Sequence, residues 1–246
     1  MVGLIPLTAV ATLEPEQLDR FPGFRRRLGW FLRNRPDLAS LVASWEEPGV
    51  GKRRLLALLS GDRLTRVLSR VLDPAEFLSD HGIRSLSRYH LEHPYMLEVD
   101  GGQYRVDYEP AESRTPLFGG NSNWRGPVWF PINYLIVEAL RTYDGYYGGM
   151  LTVELPAGSG RAASLTAAAD ELARRLTNLF LPDAAGRRPI WGEREPFASD
   201  PRWGRDPWFY EYFDGESGAG LGASHQTGWS ALVASLLTPR ARPTDP

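Results

Sequence analysis

The chain has 246 residues, a net charge of −2 and 42% hydrophobic residues, which is room for one large domain or two small ones around a substantial core. The near-neutral balance argues against a nucleic-acid binder, which would carry a basic patch, and no run approaches the roughly 18 apolar residues of a membrane span. Cysteine is absent, which excludes a disulfide frame and a thiolate metal site and fits a reducing, cytoplasmic setting.

The first residues, Met1-Val-Gly-Leu-Ile-Pro-Leu, are apolar but few, and no basic stretch precedes them. A core strand or packed loop is expected there rather than a signal peptide. Residues 16–33 set Leu18, Phe21, Phe24, Leu28 and Phe31 on one helical face, interrupted at Pro22-Gly23. Gly49-Val-Gly-Lys52 has the look of a phosphate loop. The Walker pattern fails, because Glu46 and Arg53 stand where Gly and Ser or Thr are required, so nucleotide binding by this route is set aside. Residues 62–72 form an amphipathic helix pattern that Asp73-Pro74 stops.

Further along, residues 132–143 are apolar almost all round and read as a buried helix. Residues 164–181 carry Leu165, Ala168, Leu172, Leu176 and Leu179 on one face, with Ser164 as N-cap. Residues 227–237 make the last expected helix. Between these lie segments 79–123, 145–161 and 182–226, long and rich in Gly, Pro and aromatics, and long structureless segments in a compact domain are usually functional. Strand alternation about Asp100-Gly101 predicts a hairpin over 97–106, and 150–155 is a second strand candidate. Residues 238–246 are expected to be disordered. Five or six helices joined by site-bearing loops suggest a mainly α fold, about half of a twelve-helix α/α toroid.

Two stretches concentrate the chemistry. Residues 119–134 mix two Trp, an Arg and three Asn with Gly and Pro; residues 208–229 run from an aromatic cluster through a glycine-rich segment to Trp229. Rings for the apolar face of a pyranose beside donors for its hydroxyls is the mixture a sugar site needs. Glu211 stands among Trp208, Phe209, Tyr210, Tyr212 and Phe213. A carboxylate in such company is costly unless it is paired or used, and a general base needs a tuned carboxylate near a bound water; the plainer reading is a structural Glu holding a loop. Arg125 is read either as a clamp on a substrate or as a buried partner of Asp107, Glu109 or Glu112. Asn123 belongs to the same donor-rich stretch. Trp124 and Trp129 line a site or pack as core, Gly126 lies between them, and Asn133 falls on the first turn of the following helix. In the second stretch, Tyr210, His225 and Gln226 are the other candidate contacts, with His225 and Gln226 serving otherwise as a helix cap over a buried Trp229. His90 and His93 lack the carboxylate of a metalloprotease pattern, and Ser224-His225 has no nucleophile elbow, so metal and serine hydrolysis are set aside.

These residues carry a resemblance. Asn123-Trp-Arg-Gly-Pro-Val-Trp129, the later Glu211 and Gly220-Leu-Gly-Ala-Ser-His-Gln-Thr-Gly-Trp-Ser-Ala-Leu-Val233 resemble glycoside hydrolase family 63, nearest its mannosylglycerate-hydrolase-like and glucosidase-like branch. Gly82-Ile-Arg-Ser-Leu-Ser87 looks like a segment of α/α-toroid glycosidases. The resemblance implies an (α/α)6 domain over residues 1–237 and inverting hydrolysis of an α-glucoside or α-mannoside without metal or cofactor. In that chemistry an acid protonates the leaving oxygen and a carboxylate about 6.5–9.5 Å away activates water. It also implies that Glu211 is the general base and that Trp124, Arg125, Gly126 and Trp129 line the sugar subsite. The family's general acid, an upstream Asp, has no counterpart here. The chain is therefore expected to be the C-terminal part of a larger glycosidase, with a small carbohydrate as substrate and the missing N-terminal half as partner. A non-catalytic carbohydrate-binding module is the alternative.

Overall fold

The computed structural model describes residues 1–39, 47–115, 124–197, 200, 202 and 206–238. Asn123 and the tail beyond residue 238 therefore lie outside the described residues. In chain order the elements are α1 (Ile5–Thr8), β1 (Val10–Leu13), α2 (Pro15–Arg20), α3 (Pro22–Asn34), α4 (Pro36–Ala39), β2 (Arg54–Ala57) and α5 (Gly61–Val71). They continue with β3 (Leu78–Ser79), β4 (Gly82–Ile83), β5 (Tyr95–Val99), β6 (Gly102–Val106), α6 (Phe130–Tyr147), β7 (Thr152–Glu154), β8 (Ala162–Ser164), α7 (Leu165–Asn178), β9 (Tyr212–Phe213), β10 (Gly220–Leu221) and α8 (Val233–Leu237). Helices dominate, and the sheets among the described residues are two-stranded and antiparallel. The chain divides into two compact units, Met1–Leu72 with Leu135–Asp170, and Asp73–Tyr134 with Glu171–Pro246.

In the first unit, β1 pairs with β2 from Val10 opposite Ala57 to Leu13 opposite Arg54. The apolar start of the chain is helical, not the strand or loop expected, and it buries Leu4 and Leu7 while Val2 and Ile5 are exposed. Helix α5 buries Leu64, Leu68 and Val71, one stripe at helical spacing, while Asp62 in its first turn and Arg70 in its last suit the helix dipole. Ile136, Val137, Leu140 and Tyr143 of α6 are buried at helical spacing on one face, while Leu135 is 48% exposed, so the helix predicted to be buried all round buries a single face. Ser164 caps α7, its Oγ accepting from the Ala167 N–H at 3.1 Å.

In the second unit, β5 and β6 form the expected hairpin, with Tyr95 opposite Val106. Its turn holds Asp100 at φ 51° and Gly101 at φ 76°, the two left-handed positions of a type I′ turn. The isolated bridges Arg84 to Val128 and Val128 to Phe213 lay three distant segments side by side. Their reciprocal bonds, Val128 N–H to Phe213 O at 2.8 Å and Phe213 N–H to Val128 O at 3.0 Å, are the frame on which the candidate residues hang.

Three further expectations are corrected. Residues 16–33 are two helices, α2 and α3, because Pro15 and Pro22 each begin a helix at its first position. Neither helix buries a residue, so the predicted apolar face remains open. Residues 227–237 are helical in the α sense only from Val233; His225 and Gln226 are drawn into a parallel bridge with Phe209, and Ser230–Leu232 is a 3₁₀ turn. Among the described residues there are eight α-helices against the five or six expected, and only α3, α5, α6 and α7 exceed ten residues. None of the described helices is long and apolar enough to cross a membrane.

Candidate functional site

The described candidate residues all belong to the second unit. Glu211 immediately precedes β9, and Gly222 immediately follows β10, so the antiparallel pairing of Tyr212 with Leu221 brings the two together. A Cβ on Gly222 would stand 2.7 Å from Glu211 Oε2 and 2.9 Å from Tyr212 Cε1. Glycine at φ 69° is what lets the backbone run directly against the carboxylate and the phenol ring. The Ala223 N–H donates to Glu211 Oε2 at 3.4 Å. Glu211 as a residue is half-buried.

Tyr212 belongs to a column of rings. Trp124 and Trp129 are stacked with centroids 4.0 Å apart and planes within 2°, and Trp129 stacks in turn on Tyr212 at 4.9 Å. Trp229 meets Trp129 edge-on at 6.3 Å. Trp129 is 2% exposed and Tyr212 1%, whereas Trp124 is 37% exposed and Trp229 36%. The column is anchored inside by Tyr212, whose hydroxyl donates to Glu112 Oε2 at 2.7 Å, and it presents indole surface outside. A half-exposed indole on a rigid base is a platform for an apolar sugar face.

Several candidates brace this platform from within. Arg125 is 1% exposed; its guanidinium donates to Glu109 Oε2 and to Ser113 Oγ, and Asp107 Oδ1 lies 3.8 Å away. The ion-pair reading of Arg125 is thus realised, with Glu109 as chief partner. Glu109 also accepts from Arg114 Nε at 2.8 Å and from the Arg114 N–H at 3.2 Å. Burial raises the Glu109 carboxyl, but the Arg114 hydrogen bonds and the Arg125 charge outweigh it and hold the group below the ordinary carboxylate value. Gly126 has no room for a side chain, since a Cβ there would run into the Glu109 carbonyl. Asn133 is fully buried: its Oδ1 accepts from the Ile83 N–H at 2.6 Å, and its Nδ2 donates to Ile83 O and Trp129 O at 3.0 Å each. It clamps the start of α6 to β4.

Tyr210 is buried under Gly220, beside Trp191 and Trp208, and its carbonyl accepts from Ser230 Oγ at 2.7 Å. Gln226 serves through its backbone, its N–H donating to Phe209 O at 2.7 Å. His225 is exposed, 5.6 Å from the Trp208 ring, with Nδ1 2.9 Å from Ser224 Oγ. The exposed members of the set are therefore Trp124, Trp229 and His225, with Glu211 and Gln226 half-buried; the other described candidates are buried.

Sequence reasoning missed the Tyr212 to Glu112 bond and the Arg84 cluster. Arg84, 5% exposed, donates to Tyr108 Oη at 3.0 Å and to Glu216 Oε1 at 3.3 Å, and the Tyr108 hydroxyl donates to the same Glu216 oxygen at 2.6 Å. This fixes the turn between β9 and β10. Burial, then Glu216, push the Tyr108 phenol far above its usual value, so it remains a donor. The adjacency of Glu211, Tyr212 and the Gly-x-Gly-x-Gly run was the available signal, but only pairing shows that the third glycine meets the carboxylate. Among the described residues no three His, Asp or Glu side chains are grouped as metal ligands would be. Two cavities lie along α2 and α3, and no candidate residue lines either.

Comparison with known proteins bears on this site. Residues 54–152 match the Glycosyl hydrolase family 63 C-terminal domain. An uncharacterized protein of Saccharomyces cerevisiae is 51% identical over 242 residues, 97% of this chain and 22% of its own length. The mannosyl-oligosaccharide glucosidase of the same yeast is 30% identical over 176 residues, 71% of this chain and 15% of that protein. A probable mannosyl-oligosaccharide glucosidase of Schizosaccharomyces pombe is 26% identical over 186 residues, 75% of this chain and 16% of that protein. The chain thus spans about a fifth or less of the length of the curated relatives it matches.

Proposed function

Since the chain is related to glycoside hydrolase family 63, we propose that it supplies the general base and a sugar-binding face of an inverting α-glycosidase whose helices form part of an (α/α)6 toroid. The observation that carries the reading is the contact at Gly222, where the Glu211 carboxylate and the Tyr212 end of the indole column meet one backbone atom group. In this reading a sugar rests on Trp124 and Trp229, and Glu211, next in sequence to the Tyr212 end of the column, holds the attacking water. Two relatives are glucosidases by name, which supports an α-glucoside as substrate.

In this mechanism water attacks C1 from the face opposite the leaving group. Glu211 takes the proton of the attacking water as the new C1–O bond forms, the glycosidic bond breaks with its leaving oxygen taking a proton from a general acid, and the sugar leaves as the β-anomer. Arg125, Gly126, Trp129, Asn133, Tyr210 and Gln226 position the wall. No residue of this chain is assigned the role of general acid.

α-D-Glucosyl fluoride tests the reading, because fluoride departs without being protonated and the acid is dispensable. The chain is expected to release fluoride and β-glucose, as followed by a fluoride electrode and NMR. Glu211→Ala is expected to lower the rate about a hundredfold or more, with partial rescue by azide, which attacks C1 without needing a base. Turnover that survives Glu211→Ala sinks the base assignment. Saturable glucose binding with no turnover in the parent chain leaves a non-catalytic sugar-binding module.

A further inference from the structure

A cavity of about 480 Å³ in the first unit is walled by α2, α3 and the segment that leads into β2. Its charged lining is Arg25, Arg33, Lys52 and Arg54 against the single carboxylate of Asp19. That carboxylate is engaged by Arg25 at 2.7 Å, and the neighbouring Glu14 is engaged by Arg53 at 2.5 Å. Among the described lining residues basic side chains therefore outnumber acidic ones, although the whole chain is slightly acidic. Two leucines, Leu18 and Leu28, and Pro15 give it apolar wall as well.

Two backbone features aim the cations. Gly29 on α3 leaves room for the Arg33 guanidinium, whose Nη1 would stand 3.3 Å from a Cβ at that position. Lys52 has φ 63°, directly after Gly51 at φ 63°. The turn is closed by the Gly49 N–H on Arg53 O at 2.9 Å and the Lys52 N–H on Gly49 O at 3.0 Å. A left-handed lysine is unfavourable, and such outliers cluster at ligand clamps. Glycine or asparagine would occupy this corner at lower cost, so a lysine there points to a use for its ammonium.

We propose that this cleft binds a small phosphate-bearing anion, orthophosphate or a phosphate monoester of sugar size. Guanidinium forks and an ammonium are matched to phosphate oxygens, and the apolar wall suits the carbon skeleton of a monoester. The Walker pattern is absent and the Val50–Lys52 segment is a 3₁₀ turn that does not open a helix. Recognition therefore rests on side chains, not on a cradle of backbone N–H groups. The site is independent of Glu211 and of the glycosidase reading.

The test is calorimetric titration of the chain with inorganic phosphate, glucose 6-phosphate and glucose at low ionic strength. Saturable phosphate binding is expected, weakened about tenfold or more by Arg33→Gln and by Lys52→Gln, the loss of one charge-assisted contact each. Lys52→Gly is expected to leave the melting temperature unchanged or raised while phosphate affinity falls. Tighter binding of glucose 6-phosphate than of inorganic phosphate identifies a monoester site; the reverse order identifies an orthophosphate site. The proposal is overturned if neither inorganic phosphate nor glucose 6-phosphate saturates, if glucose binds as well as its phosphate, or if affinity is indifferent to Arg33 and Lys52.

Discussion

Arg125 shows how a residue type can be legible while its task is not. The sequence offered a clamp on substrate or a buried ion pair, and the nearby Asp107, Glu109 and Glu112 fitted both. The structure buries the guanidinium against Glu109 and Ser113, a choice decided by the fold of residues 107–114 back onto Gly126, which no local pattern encodes. Breaking such a pair strands a charge: Arg125→Met is expected to cost about 3–5 kcal/mol, measured by urea unfolding, whereas replacing Arg125 and Glu109 together by apolar residues costs far less. The pH dependence has a definite sign. Because the folded Glu109 carboxyl lies below its ordinary value of 4.5, its contribution is fully present above that pH and is lost as the pH falls through the lower, folded value. Glu109→Gln is expected to flatten the acid limb of the stability profile.

At the scale of elements, periodicity read correctly where a helix packs by its own stripe. Helices α5, α6 and α7 appear close to their predicted spans, and the Asp100-Gly101 hairpin follows from turn chemistry alone. The last helix did not, because the backbone at 225–226 pairs with Phe209 and the Ser230 hydroxyl is drawn to Tyr210 O; tertiary pairing outweighed local spacing. Asn133 belongs to this level, since it joins two elements: its side chain satisfies both backbone groups of Ile83 inside the core. Asn133→Ala leaves them buried without that partner and is expected to cost about 2–4 kcal/mol, seen as a lower urea midpoint at unchanged slope. Sugar binding at the Trp124 platform should weaken in step, because the same side chain also holds Trp129 O.

For the molecule as a whole, the described residues of both stretches singled out in the sequence fall within one unit and meet where Val128 pairs with Phe213 and Trp129 stacks on Tyr212. What the sequence could not convey is which faces find partners. The stripe on α2 and α3 is correctly apolar, yet Phe21 is 59% exposed, Phe24 48% and Trp30 58%, and a second cavity is lined by Leu13, Leu18, Phe21 and Phe24. Such a surface promotes association. Sedimentation velocity is expected to show concentration-dependent self-association that Phe21→Glu with Phe24→Glu suppresses. The stacked indoles have a consequence of another kind. Rings 4.0 Å apart exchange excitation readily, and a solvated indole emits at lower energy than a buried one. Light absorbed by Trp129 therefore drains toward Trp124, at the rim where a sugar would rest. The protein carries its own optical reporter: an occupant of the platform would shift the emission to shorter wavelength and shield it from dissolved quenchers, with no label attached.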